Sequence, residues 1–184
     1  MMTKEEAKRR IIDYLEANSI YYILLNEEDK PIDVNEIDTI YFSARVPEVI
    51  GRHIETCLRF RDEHVYCQSY YCQPIVQNKG ENQREKEEIF RALRIINYIN
   101  QSLCYECNTM YDNTLILDEK TGDIFNATLI RYEMLEKFFY ETISFVLDFQ
   151  VQFLKDICIP VVFYTANKLS FHQAIKMLPS RINN

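Results

Sequence analysis

Residues 39–72 read TIYFSARVPEVIGRHIETCLRFRDEHVYCQSYYC, and this stretch decides the fold. Its first eight residues alternate. Ile40, Phe42, Ala44 and Val46 point one way, and Thr39, Tyr41, Ser43 and Arg45 the other, as in a half-buried strand. Pro47 ends it. Residues 48–61 fit two readings. Ile54, Thr56, Leu58 and Phe60 alternate against Glu55, Cys57, Arg59 and Arg61, as a strand would. Ile50, Ile54, Cys57 and Leu58 also share one face of a helix, and Pro47 is tolerated at a first helical position. A strand from about His53 is favoured because it gains a neighbour. Arg61-Asp62-Glu63-His64 is then a turn, and Val65–Cys72, with three tyrosines, is the returning strand.

Toward the N-terminus, Thr3 with Glu6 forms a capping box for a helix over residues 4–17, whose apolar stripe is Ala7, Ile11 and Leu15, widened by Ile12. Ser19–Leu25 reads as a strand, and the acidic segment 26–35 with Pro31 as a loop. Toward the C-terminus, the polar residues 77–83 with Gly80 are the main internal connection. Asn82 with Glu85 caps a helix to about Gln101, with Ile89, Leu93, Ile96 and Asn100 on one face. Residues 103–112 show no clear period. Leu115 and Leu117 begin a strand, residues 118–122 turn with Gly122 as the left-handed residue, and Ile124–Arg131 returns. Leu135, Phe138, Phe139, Thr142, Val146, Phe149, Phe153 and Ile157 keep helical spacing over about six turns, and Pro160 follows them. In that register Gln150 lies about 100° from Phe149 and is expected to face water or a polar rim, so its truncation should cost little. Residues 169–178 read as a short last helix. The order helix, strands, helix, hairpin, long helix makes an α+β fold, an antiparallel sheet with helices on one face, in one domain over residues 1–184. Its two parts are 4–78 and 83–184.

Composition narrows the function. With 28 acidic against 21 basic residues the net charge is −7, so a phosphate backbone is repelled on average and nucleic acid is not an expected partner. Only three glycines occur, and no phosphate-cradling GxGxxG or GxxxxGK[ST] pattern exists. Apolar runs are broken by charges and no apolar stretch follows the polar start, so neither a membrane span nor a secretory signal is expected. A cytoplasmic location with the six cysteines reduced is the expectation.

The strongest chemical candidate is Cys104-Tyr105-Glu106-Cys107, a spacing that suits two thiolates on one metal or a redox pair. No second CxxC completes a four-ligand zinc site, and Cys67 and Cys72 are spaced poorly for one, so no metal or cofactor is expected. His53, His64 and His172 show no ligand spacing. Asp112, Asp118, Glu119 and Asp123 crowd the hairpin but match no calcium loop, and a solvated acidic turn accounts for them. Asn97 and Asn100 close the second helix, where their amides can satisfy orphan carbonyls or hold the following loop; a ligand-binding role is the alternative. Phe138, Phe139, Phe145, Phe149 and Phe153 spread beyond one stripe, which suggests a helix shared between core and interface, with Phe145 and Phe149 as binding residues of a homodimer.

Leu93-Arg94-Ile95-Ile96-Asn97-Tyr98-Ile99-Asn100 resembles the Asn-bearing helix of the YbjN-like family of bacterial proteins assigned to sensory-transduction regulation. Leu115-Ile116-Leu117-Asp118 with Thr121-Gly122-Asp123-Ile124 resembles its hairpin, and Leu135 to Ile157 its closing helix. The likeness covers under half of the chain; Tyr21 and Tyr22 stand where members often carry a tryptophan, and a strand is added. The resemblance implies the type III secretion chaperone-like fold and a non-enzymatic, protein-binding role, often as a dimer, with no catalytic residues to transfer. A thiol- or metal-dependent protein using Cys104 and Cys107, or a small-ligand sensor, is the alternative.

Overall fold

The computed structural model describes residues 2–26, 38–76, 82–104 (backbone only at 103 and 104) and 113–179. Helix α1 (Lys4–Ala17) begins at the Thr3 capping box and buries Ala7, Ile11 and Leu15. Strands β1 (Tyr22–Leu25), β2 (Thr39–Arg45), β3 (His53–Phe60) and β4 (His64–Tyr71) follow. Then come α2 (Gln83–Ile99), β5 (Thr114–Leu117) and β6 (Ile124–Arg131). The six strands form one antiparallel sheet in the order β1-β2-β3-β4-β6-β5. Because β4 pairs with β6, the parts before and after residue 80 share the sheet. Among the described residues no helix is long and apolar enough to cross a membrane.

The two readings of 48–61 resolve as a single tight turn, Ile50–Arg52, followed by a strand from His53. Gly51 makes the turn possible at φ 73°, with its backbone packed against the Cys72 side chain. Val46 N–H donates to Arg52 C=O at 2.8 Å and closes the loop. The hairpin turn is likewise as expected. Gly122 sits at φ 79° and its amide donates to Asp118 C=O, while the Asp118 carboxylate accepts from the Lys120 amide. Gly122 also lies against the Val76 carbonyl, where a side chain would collide with backbone.

The sheet buries one face. Across the strands, Ile40 pairs with Leu58, Leu58 with Cys67 and Cys67 with Thr128, all buried. Every described helix packs on this side. Two apolar clusters result: one gathers α1 with β2, the β3–β4 turn end and residues 130–146, the other gathers α2 with residues 153–178. In α2 the buried stripe is Ala92, Ile95, Ile96 and Ile99, leaving Leu93 half-buried.

The long helix departs from its expected form in three ways. It is broken at Phe138, whose φ of −132° and ψ of 50° separate α3 (Tyr132–Lys137) from α4 (Phe139–Ser144). A wide turn follows over Phe145–Phe149, where Gln150 N–H donates five residues back to Phe145 C=O. The helix then continues as α5 (Gln150–Thr165) with Pro160 inside it, and α6 (Phe171–Met177) closes the chain. The expectation that Gln150 faces water is overturned: it is 0% exposed. The wide turn brings Phe145 and Gln150 onto the sheet side together, although five residues of regular α-helix would set them about 140° apart.

Gln150 is satisfied by the sheet. Its Oε1 accepts from Ser69 Oγ at 2.6 Å and from Cys67 Sγ at 3.2 Å, and its Nε2 donates to Thr128 Oγ1 at 3.0 Å. Thr128 Oγ1 donates in turn to Asn113 Oδ1, and Ser69 meets Thr56 at 2.9 Å. This polar layer lies between the two apolar clusters. Asn126, paired with Ser69 across the strands, is also fully buried, yet neither atom of its amide has a hydrogen-bond partner among the described residues.

Gln150→Ala should therefore cost about 2–4 kcal/mol, from the vacated volume and the orphaned hydroxyls. Asn126→Leu should be neutral or stabilising, because it removes an amide that costs about 1–3 kcal/mol to bury unpaired. Chemical denaturation of both variants checks the pair; a neutral Gln150→Ala would place that side chain outside the core. Gly122→Ala should cost more than about 1 kcal/mol by the same measurement, from a positive φ and a backbone collision.

Candidate functional site

The face of the sheet opposite the helices carries the alternate residues of every strand. In register across it run Glu55, Tyr70, Phe125 and Ile116; beside them Tyr41, Cys57, Gln68 and Ala127; and then Arg59, Tyr66 and Leu129. No described helix packs here. Leu129 is 47% exposed, Tyr41, Tyr66, Tyr70 and Phe125 are half-buried, and the smaller Thr39, Cys57 and Ala127 between them are buried. The same alternation that fills the core therefore lays out a contiguous aromatic surface on the far side.

Its polar groups are tied together. The Tyr41 hydroxyl bonds Glu55, and Cys57 Sγ meets Tyr70 Oη at 3.5 Å. Burial, then the Glu55 bond, raises the Tyr41 phenol well above its usual range. Burial, then the neighbouring Cys57, raises Tyr70 likewise. Both phenols thus stay protonated at neutral pH, and a protonated phenol is no base to activate a thiol. On the strands this face bears three arginines, Arg45, Arg59 and Arg131, against one carboxylate, Glu55, although the chain as a whole carries −7.

The residues singled out from sequence fall elsewhere. Asn100 is structural: its Nδ2 donates to Leu115 C=O and its Oδ1 accepts from Leu115 N–H, both at 2.8 Å, so the amide acts as a short neighbour for the edge strand β5. Asn97 is exposed on α2. Phe145 is buried, and Phe149 is half-buried, stacked between Phe145 and Phe153 at centroid distances of 5.2 and 6.4 Å. Phe139 and Phe153 are buried too, which leaves Phe138 as the exposed phenylalanine of that set. His53 and His172 are exposed and His64 half-buried. Asp112, Cys107 and the Cys104 side chain lie outside the described residues. Cys57, Cys67, Cys72 and Cys158 form no disulfide among the described residues, and burial raises the thiols of Cys67 and Cys158. Among the described residues no group of three or more His, Cys, Asp or Glu side chains could hold a metal.

Comparison with protein-family models, with curated proteins and with solved structures finds no match to this chain.

Alkaline titration should register the buried phenols. Tyr41, Tyr70 and Tyr71 are raised chiefly by burial, and Tyr132 is pushed up to about 12 by burial and by Asp62. Raised folded values mean that this stabilisation is complete below the unfolded phenol value of 10.0 and is lost as pH climbs above it. Absorbance titration should find these four of the thirteen tyrosines silent until the protein unfolds, with stability falling from about pH 10 upward. Ionisation of all thirteen near pH 10 in a folded protein would contradict the burial described.

Proposed function

We propose that the chain is a non-enzymatic, protein-binding module, a chaperone-like or regulatory adaptor, that receives its partner on the outer face of the sheet. The observation behind this reading is the aromatic surface around Tyr66, Tyr70, Phe125 and Leu129, on a sheet whose described helices all pack on the other side. Contiguous apolar surface of this kind is characteristic of binding faces. The element order, a helix, strands, a helix, a hairpin and a closing helical run, supports the type III secretion chaperone-like reading, with one strand added. The YbjN-like resemblance points the same way. A homodimer fits this role; of the phenylalanines that suggested it, Phe138 stays 39% exposed, beside Tyr140 at 70%.

Affinity capture from the source cell with three baits tests the reading: the wild type, Leu129→Glu on the sheet face, and Phe163→Glu on the helix side. A partner kept by the wild type and Phe163→Glu but lost by a folded Leu129→Glu is the expected result. Equal capture by all three baits would overturn it. Light scattering against the 22.1 kDa chain mass reads self-association in the same preparations.

A further inference from the structure

Two arginines frame the outer face at opposite corners. Arg45 on β2 stands in the row of His53, and Arg131 on β6 stands in the row of His64. Both are exposed, and neither makes an ion pair among the described residues. Arg59 adds a third positive charge near the Arg131 end. Between the two ends lie Tyr41, Tyr66, Tyr70, Phe125 and Leu129, with Glu55 engaged by Tyr41. In the β3–β4 turn, Asp62 acts on Tyr132, a residue packed in the core. The result is an aromatic strip with an exposed arginine at each end, Glu55 in the row next to Arg45 and the Asp62-Glu63 turn beyond His64, set on a protein of net charge −7.

The row of His53 and the row of His64 are eight residues apart along β4, from Cys72 to His64, or about 27 Å at strand rise. Arg45 and Arg131 are also three strand spacings apart, about 14 Å, so the diagonal between the corners is about 30 Å, which an extended chain covers in about nine residues.

We propose that the outer face takes an acidic, extended peptide segment of a partner protein, with carboxylates at both ends of an apolar or aromatic stretch of about eight residues. This rests on the protein-binding reading above and names the chemistry of its partner. The carboxylates reach Arg45 at one end and Arg131 at the other, where guanidinium forks match them. The central side chains lie on the aromatic strip. A single-stranded nucleic acid also stacks on aromatic sheets, but it brings a phosphate at every residue. Here the positive charge is confined to the ends, Glu55 sits between them, and the rest of the chain repels a long polyanion. A short peptide charged only at its ends meets none of those costs.

The test is selection from a random peptide library displayed on phage against the full chain, followed by affinity measurement on the selected peptides. Three variants accompany it: Arg45→Gln with Arg131→Gln, Leu129→Glu, and Phe163→Glu on the helix side. Oligothymidylate and oligouridylate serve as nucleic-acid probes. The expected result is enrichment of peptides with Asp or Glu flanking apolar residues. Their affinity should fall about tenfold or more in the double arginine variant and with added salt, and hold in Phe163→Glu. Selected peptides without acidic ends, lost in Leu129→Glu but untouched by the arginine changes, would overturn the inference and leave the binding face standing. Oligonucleotides binding more tightly than any selected peptide would overturn it in favour of nucleic acid. Peptides indifferent to every face variant, or no selected peptide at all, would overturn both the inference and the reading it rests on.

Discussion

The Gln150 amide is the constraint on which the packing of this protein turns. It is fully buried, and only one placement of the helix brings Ser69, Cys67 and Thr128 to its two ends. An all-apolar helix can slide over an apolar sheet at modest cost; a buried amide cannot, because every other position strands it without partners. The wide turn at Phe145–Phe149 is the local adjustment that delivers it. With α5 fixed in this way, Leu154, Ile157 and Val161 face the sheet and α2, and the remaining helices close around them. Asn126 lies buried in the same layer with no hydrogen-bond partner among the described residues, an arrangement that costs stability.

Much of this architecture was legible in the residues. The alternations of 39–46 and 53–72 carry strong information because a shift of one residue would turn every core side chain into solvent. Capping boxes at Thr3 and Asn82 marked helix starts, and Gly122 its turn, because each depends on short-range chemistry. The long helix was misread for a different reason. The stripe Ile143, Val146, Gln150, Leu154, Ile157 and Val161 also keeps helical spacing, but a glutamine in its middle argues for the outside unless the sheet below offers hydrogen bonds. Those hydroxyls and the thiol lie more than eighty residues away for β4, beyond the reach of any local pattern. The Phe138 break has no proline or glycine to announce it.

The outer face was present in the same alternation, as the residues not assigned to the core. Reading Tyr41, Glu55, Cys57 and Tyr70 as a group required the register of three strands, which pairing alone supplies. Asn97, Asn100 and the Cys104–Cys107 pair stand out along the chain because their spacing is local. A surface assembled across strands leaves no such spacing.

The Asn100 bracket on Leu115 has a consequence for how sheets of this protein could join. Exposed strand edges are templates, and a sheet open at both sides can add copies without limit, the route to fibres. Here the β5 side is occupied at Leu115 by a side chain of its own molecule. A strand added from another copy would have to displace that amide before it could pair at Leu115. One asparagine at the close of a helix thereby makes that edge a poorer template than a bare strand.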